Sequence, residues 1–232
     1  MSIIKVSDYE INKNSQMKMS AVMHHMQQSA TESFNTFGIT YEELRKNNMV
    51  FVLLRMKIQF TSVINKNDIL NFISWPTQTK NASFFREYKI IRNDQIIATA
   101  NSIWALIDYD KRTILRPSAL NKEIKIQDPE SVNINLYKLF ESGNEILIDK
   151  RKIYSSMLDE NNHLNNCVYS DIIFDYIPNT KTIIKSLQID FVNEALENDI
   201  LNIYFEKRQD SYFIYGYNTT KDNLCFKALV EI

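Results

Sequence analysis

The sequence has few of the residues that break or cross-link a chain: three glycines, four prolines and two cysteines among 232 residues. So little glycine and proline argues against flexible linkers and against the glycine-rich loops that cradle phosphates, and therefore against a nucleotide cofactor. Cys167 and Cys225 lack the spacing of a zinc site or a disulfide framework. The sequence therefore predicts no metal, no cofactor and a reducing compartment, the cytoplasm.

Charges of the two signs are nearly equal, with 27 basic and 28 acidic residues and a net charge of −1. This balance predicts neither nucleic acid nor an anionic membrane as a partner. Residues 1–5 lack the hydrophobic run of a signal peptide, and no apolar stretch is long enough to cross a bilayer. We expect a globular protein of one large domain or two small ones.

Apolar periodicity divides the chain into two similar runs of helices and strands. Residues 3–11 alternate as in a strand, and Met19–Phe37 shows the apolar spacing of a helix that ends at Gly38. A capping-box pattern then opens a short helix at 40–46. Strand-like runs follow, and the same order returns after a less regular connector. The runs are 49–60, 68–75, 83–91 and 95–108, then strand 145–156, a helix near 165–177, and strands 183–192, 199–208, 211–219 and 223–232.

An internal repeat supports this division. Residues 56–72 and 187–203 are identical at seven of seventeen positions, including the run Asn-Asp-Ile-Leu-Asn. A weaker match places His24 and His25 opposite Asn162 and His163. We predict an α+β protein of two units, each a long helix packed on a curved antiparallel sheet, with the two sheets joined into one. The expected boundaries are 1–110 for the first unit, 111–143 for the connector and 144–232 for the second unit.

The stretch from Met157 to Tyr169 is the strongest candidate for a functional site. Asp159, Asn161 and His163 occupy alternate positions just before an amphipathic helix, and the N-terminus of a helix favours negative charge. Such a group of a carboxylate, an amide and an imidazole is suited to acid–base chemistry. Asn and Asp are also common helix caps and turn residues, so a purely structural role explains the same residues.

The order Asp159-x-Asn161-x-His163-x-Asn165-Asn166-x-x-Tyr169 resembles the signature of acyl-acyl-carrier-protein (acyl-ACP) thioesterases. Residues 85–88, 102–108 and 111–112 are similar to the first half of that family. Residues 190–195 are similar to the segment with its catalytic glutamate, here Glu194. The resemblance covers nearly the whole chain. It implies a double hotdog fold, hydrolysis of acyl-ACP to fatty acid and carrier protein, and catalytic roles for Asp159, Asn161, His163 and Glu194.

The roles implied by this resemblance leave several alternatives open. Asp159 acts either as a general base on water or as a nucleophile. His163 donates a hydrogen bond or moves a proton, while Asn161 orients the carboxylate or the water. Glu194 would share the site with Asp159, and each carboxylate would shift the pKa of the other. Backbone N–H groups around Asn165 and Asn166 are candidates for an oxyanion hole, and simple helix capping explains these two residues equally well.

Other residues have a weaker case. Cys167 lies one helical turn after His163 and would be a nucleophile as a thiolate, but a small buried residue is the favoured interpretation. Some family members have a cysteine after the glutamate, where this chain has Ala195. Four basic residues of the connector are possible contacts for the carrier protein, although such charges are usually only solvated: Arg112, Arg116, Lys122 and Lys125. The acyl pocket is expected in the first half, with a wall from Met23, Met26 and Phe34.

Two other functions fit the same pattern. A hotdog dehydratase acting on a 3-hydroxyacyl thioester also pairs a histidine with a carboxylate, and a non-catalytic acyl-binding module would keep the fold alone. The order of the Asp159, Asn161 and His163 triplet favours the hydrolase. A monomer and a homodimer are both compatible with the sequence, and neither the acyl chain length nor the choice between carrier protein and coenzyme A follows from it.

Overall fold

The structure, a computed structural model, describes residues 2–124, 126, 131–178 and 184–232. Lys125 and Ile183, the first residue of the predicted strand 183–192, lie outside these residues. The helices are α1 Met19–Asn35, α2 Tyr41–Lys46 and α3 Asn166–Phe174. The strands are β1 Ser2–Lys5, β2 Met49–Phe60, β3 Ile69–Lys80, β4 Ser83–Arg92, β5 Gln95–Asp108, β6 Ile146–Lys152, β7 Ser186–Phe191, β8 Ile200–Arg208, β9 Ser211–Asn218 and β10 Asn223–Glu231.

The strands form one ten-stranded antiparallel sheet in the order β1-β3-β4-β5-β2-β7-β10-β9-β8-β6. The first five strands in this order belong to the first unit and the last five to the second. β2 and β7 join them, and Lys57 pairs there with Gln188, its counterpart in the repeat. A pseudo-two-fold axis therefore passes through the centre of the sheet, and the prediction of one continuous sheet is confirmed.

The helices α1 and α3 lie on the same face of the sheet and share one core. α1 buries Val22, Met23 and Met26, and it packs on β3 and on α3. Ile172 of α3 and Ile189 of β7 belong to the same cluster of buried side chains. Each such side chain contributes roughly 1.5–3 kcal/mol when fully buried. We expected each helix to pack only inside its own unit, whereas the structure packs the two helices against each other.

Two element boundaries in the structure differ from the predicted ones. β3 continues through Pro76 to Lys80, although proline was expected to end it near Trp75. Proline is tolerated there because β1 pairs only with Ile69–Phe72, so the outer edge of β3 beside Pro76 needs no backbone donor. The first helix was predicted to end at Gly38, which has a left-handed backbone with φ of +68°. In the structure α1 ends earlier, at Asn35.

The helix match made from sequence was wrong. His24 and His25 lie within α1, whereas Asn162 and His163 precede α3. A short antiparallel bridge precedes each helix, between Ile11 and Met17 in the first unit and between Leu158 and Leu164 in the second. The counterpart of the loop 159–163 is therefore the loop 12–16, because the two bridges enclose loops of the same length.

The described part of the connector crosses the sheet on the face opposite the helices. The Leu139 N–H donates to Asp190 Oδ2 at 3.0 Å, and Lys227 Nζ donates to the Leu139 carbonyl at 3.1 Å. Gln188 Nε2 donates to the Tyr137 carbonyl at 2.6 Å. These polar side chains are buried because the connector covers them, so this segment is packed against the sheet and not simply solvated.

Candidate active site

A tight loop before α3 brings the predicted site residues together. The Asp159 N–H donates to the His163 carbonyl at 2.8 Å, and the Asn162 N–H donates to the Asp159 carbonyl at 3.0 Å. Asn162 adopts a left-handed backbone with φ of +60°, which asparagine tolerates better than most residues. Asn165 caps the helix, since its side chain accepts from the Cys167 N–H at 2.9 Å.

The carboxylate of Asp159 is oriented by the backbone of its own loop. Its Oδ1 atom accepts hydrogen bonds from the N–H groups of Asn161 at 2.8 Å and of His163 at 3.2 Å. Within the described part of the chain, no hydrogen bond reaches Oδ2. One carboxylate oxygen is thus held by the backbone, while the other remains available to a molecule in the adjoining cleft.

His163 and Glu194 form an ion-pair geometry that the loop alone does not specify. His163 Nε2 lies 3.0 Å from Glu194 Oε2, and Arg112 Nη1 donates to Glu194 Oε1 at 2.9 Å. Arg112 Nη2 lies 3.2 Å from His163 Nε2. Nε2 cannot donate to the carboxylate and accept from the guanidinium at once. The carboxylate contact therefore corresponds to a proton on Nε2, with Glu194 bridging two donors.

The pKa of Glu194 lies below its ordinary value. The hydrogen bond from His163 is the largest cause, and the charges of His163, Arg112 and Lys221 add to it, against the opposing effect of partial burial. We expected Asp159 to shift this pKa, but the groups that lower it are His163, Arg112 and Lys221. Glu194 is therefore ionised at neutral pH and suited to holding an imidazole or an imidazolium.

One cleft between the two units brings the four predicted residues together. Asp159, Asn161, His163 and Glu194 line it, and its volume is about 440 Å³. The first unit supplies one wall from β2 and from the chain after β5, while the second unit supplies the other wall from α3, β7 and the following loop. Tyr41 of α2 also reaches across and donates to Asn161 Oδ1 at 3.3 Å. The apolar part of the wall is formed by Val50, Val52, Leu54, Ile107, Tyr169 and Phe191.

Both cysteines are buried away from this chemistry. Burial is the main reason that the pKa of Cys167 rises to about 12, and its Sγ atom lies 3.6 Å from Gln27 Oε1. Burial also raises the pKa of Cys225 to about 11. Neither thiol lines the cleft, so the geometry favours the interpretation of Cys167 as a small buried residue.

The methionines chosen as the wall of an acyl pocket lie deep in the main core. Met23 and Met26 are at most 3% exposed and line none of the larger cavities of the described residues. Phe34 instead packs at the far end of α1, where its ring stacks on Phe51. The acyl pocket assigned to these side chains stays a prediction.

Arg112 and Tyr41 were missed as site residues. The sequence placed Arg112 in the connector and Tyr41 in a capping box, and both assignments rest on neighbours along the chain. The pair Lys111-Arg112 was part of the family resemblance, which is the one signal that pointed to it. Contact with Glu194 depends on the joined sheet, because the two residues are 82 positions apart.

The residues that the structure describes offer neither a metal-ligand cluster nor a helix suited to crossing a membrane. Residues 2–124, 126, 131–178 and 184–232 contain no group of three or more His, Cys, Asp or Glu side chains that could hold a metal ion. Among the helices of these same ranges, none has the length and apolar character needed to span a bilayer.

Two plant acyl-carrier-protein thioesterases are among the curated proteins similar to this chain. Among curated relatives, a chloroplastic palmitoyl-acyl carrier protein thioesterase of Arabidopsis thaliana is 22% identical over 217 residues, which are 84% of this chain and 52% of that protein. A chloroplastic oleoyl-acyl carrier protein thioesterase of the same plant is 21% identical over 219 residues, covering 85% of this chain and 60% of that protein. The chain spans about half the length of the curated relatives it matches.

Solved structures match the whole fold. An acyl-ACP thioesterase from Bacteroides thetaiotaomicron superposes with a TM-score of 0.91 at 17% identity, covering 99% of this chain and 96% of that one. A 12:0-ACP thioesterase from Umbellularia californica gives a TM-score of 0.80 at 17% identity, covering 99% and 95%. The predicted tandem hotdog fold is confirmed.

The family assignment extends over both units. Residues 1–125 match the acyl-ACP thioesterase N-terminal domain. Residues 127–228 match the acyl-ACP thioesterase C-terminal domain. With both domains matched in order, and with the loop, the cleft and the fold described above, the chain belongs to the acyl-ACP thioesterase family.

Proposed function

We propose that this chain hydrolyses the thioester of acyl-ACP, releasing a free fatty acid and the carrier thiol. The observation that supports this most directly is the cleft of about 440 Å³, where Asp159, His163 and Glu194 face an apolar wall. Membership of the acyl-ACP thioesterase family supports a carrier-protein thioester as the substrate and the carrier protein as the partner.

Hydrolysis requires attack on the thioester carbonyl carbon, cleavage of the C–S bond and protonation of the departing sulfur. The free Oδ2 of Asp159 serves either to take a proton from an attacking water or to attack the carbonyl itself. In the second route, water then hydrolyses the mixed anhydride. Asn161 positions this carboxylate through its backbone N–H, and its side chain is held by Tyr41 from the first unit.

In this proposal, His163 and Glu194 work as one unit. Glu194 accepts from Nε2 of His163 and so sets the orientation and the proton position of the ring. A second proton on the ring, at Nδ1, is the one given to the departing thiolate, so Nε2–H stays bonded to Glu194; the ionised Glu194 stabilises the positive charge that the ring carries before this transfer. Arg112 positions Glu194 through the bond to its second oxygen.

The best candidate for an oxyanion donor is the backbone N–H of Asn166. The neighbouring donors are occupied, since Asn165 N–H binds the Met157 carbonyl and Cys167 N–H binds the Asn165 side chain. Among the described residues the Asn166 N–H has no partner, and Asn166 lines the cleft. One such donor typically lowers the barrier by about 3 kcal/mol.

Family membership supports hydrolysis over the two alternatives, dehydration of a 3-hydroxyacyl thioester and acyl binding without chemistry. Within the proposal, the cytoplasm remains the predicted compartment, while a monomer and a homodimer both remain compatible with the chain. The domain boundaries at residues 110 and 144 likewise stay predictions.

Purified protein incubated with acyl-ACPs of several chain lengths, with detection of the released thiol, tests the proposal. We expect thiol release by the unsubstituted chain and a loss of at least about 100-fold in Asp159→Asn, because the amide keeps the loop but is not a base. Cys167→Ser is the control and retains activity. No thiol release with any acyl-ACP, or activity kept in Asp159→Asn and lost in Cys167→Ser, contradicts the proposal.

A further inference from the structure

The loop before α1 repeats the backbone of the catalytic loop before α3. Asn12 N–H donates to the Gln16 carbonyl at 2.7 Å, and Ser15 N–H donates to the Asn12 carbonyl at 3.0 Å. The Asn12 Oδ1 atom accepts from the N–H groups of Asn14 at 2.9 Å and of Gln16 at 3.2 Å. The four corresponding bonds around Asp159 measure 2.8, 3.0, 2.8 and 3.2 Å.

The hydrogen bond that joins this loop to the segment following the central strand of its unit, β2 or β7, is repeated as well. Met17 N–H donates to the Ile64 carbonyl at 2.9 Å, just as Leu164 N–H donates to the Ala195 carbonyl at 2.8 Å. Ile64 and Ala195 are counterparts in the sequence repeat, so the residue before Ile64 occupies the place of Glu194. That residue is Val63.

The loop before α1 has no acid–base side chain at the positions that correspond to Asp159 and His163, but the side chains there still form hydrogen bonds. Asn12 stands in the position of Asp159, and Gln16 stands in the position of His163. An amide cannot serve as a base near neutral pH, yet its NH₂ group donates to a carbonyl oxygen. With Val63 in the place of the glutamate, the arrangement is suited to holding an acyl group and not to hydrolysing it.

A cavity accompanies this loop as the cleft accompanies the other. Its volume is about 400 Å³, close to the 440 Å³ of the catalytic cleft, and Asn12, Gln16 and Val63 line it. Both units contribute apolar walls, as they do at the catalytic cleft. The main apolar residues are Met17, Val22, Phe60, Ile64, Phe174 and Ile177.

The charges around this cavity favour a neutral ligand. Lys18 of the first unit and the carboxylates of Asp171 and Asp175 of the second unit line it. Arg151 reaches Asp175 at 2.7 Å, and Lys18 donates to the Tyr9 carbonyl at 3.1 Å, so neither cation is reserved for an incoming anion. A free carboxylate head group would meet this acidic side, whereas an acyl thioester and its amide-containing arm are uncharged.

We propose that this first-unit cavity is a second acyl-binding site, which holds an acyl thioester of pantetheine without hydrolysing it. The inference rests on the proposed function, since the ligand class is taken from the catalytic cleft that this cavity repeats. The chain would then hold two acyl groups at pseudo-symmetric positions, one at a reactive loop and one at an unreactive loop.

Calorimetric titration with a dodecanoyl-pantetheine analogue, in which a CH₂ group replaces the thioester sulfur and the carbonyl is kept, counts the sites without turnover. We expect two molecules per chain for the unsubstituted protein. Val63→Trp fills the first-unit cavity and Glu194→Trp, its matched counterpart, fills the catalytic cleft. Each is expected to bind one molecule per chain, and the double variant none, with folding checked by circular dichroism.

Binding of one molecule by the unsubstituted chain overturns this inference, as does an unchanged count in Val63→Trp. Displacement by an equal concentration of dodecanoate from the site that remains in Glu194→Trp also overturns it, since the ligand would then be a carboxylate. Thiol release from acyl-ACP is measured separately. If the chain releases thiol from acyl-ACP but binds only one analogue molecule, the second site is contradicted and the proposed hydrolysis stands. If it binds two analogue molecules but releases no thiol, the proposed hydrolysis is contradicted and the second site stands.

Discussion

At the scale of single residues, the candidate site depends on one carboxylate held by an imidazole and a guanidinium. Glu194 accepts from His163 and from Arg112, and these contacts lower its pKa although it is partly buried. The sequence pointed to His163 and Glu194 through the family resemblance. It did not point to Arg112 as their partner, because residue spacing holds no information about contacts between distant segments.

The substitution Arg112→Ala is expected to move the acidic limb of the pH–rate profile to higher pH. Removing the guanidinium takes away a positive charge that lowers the pKa of Glu194, so that pKa rises and the ionised form is lost at a higher pH. The measurement is kcat/KM for acyl-ACP against pH. Arg116→Ala, an exposed arginine of the same segment, serves as the control. An acidic limb that stays in place in Arg112→Ala contradicts the positioning role.

At the scale of elements, the apolar periodicity predicted most helices and strands, and the structure corrected their ends. Pairing between strands accounts for the corrections, as at Pro76, where the missing neighbour allows β3 to continue. The same dependence on a neighbouring strand explains Gly216 in β9. A Cβ atom built there would lie 2.3 Å from Cε1 of Phe226, which faces Gly216 from β10.

Gly216→Ala is therefore expected to destabilise the protein by about 1–3 kcal/mol, because the fully buried Phe226 ring has to move. Urea unfolding measures the free energy. In a Phe226→Leu background the same glycine substitution should cost less, since the smaller side chain leaves room for the added methyl group. An equal cost in both backgrounds would show that the ring is not the obstacle.

At the scale of the whole molecule, the two units are joined by polar contacts as well as by the paired strands β2 and β7. Arg55 of the first unit binds Asp190 of the second through two hydrogen bonds of 2.6 and 2.8 Å. The same carboxylate accepts from the Leu139 N–H of the connector. The catalytic cleft lies between the units, so its geometry depends on this junction.

Asp190→Ala is expected to lower the free energy of unfolding by about 3 kcal/mol, because it leaves Arg55 and a buried N–H without a partner. Asp8→Ala, which removes the exposed partner of Lys66, should cost less than about 1 kcal/mol. Urea unfolding compares the two variants. Similar small losses in both would mean that the junction is held by the strand ladder and apolar packing alone.

The sequence by itself determined the features that depend on near neighbours. The loop around Asp159 closes through bonds within five residues, and α3 follows from apolar spacing and the Asn165 cap. The repeat predicted two units because both copies retain the same local pattern.

Only the tertiary structure decided which distant side chains meet. Pairing of β2 with β7 brings Arg112 to Glu194 and Tyr41 to Asn161. The fold also aligns Asn12 and Gln16 with Asp159 and His163, an equivalence that sequence similarity does not reveal at the helices. The physical reason is that contacts between the units depend on strand register and shared burial, which are properties of the folded sheet.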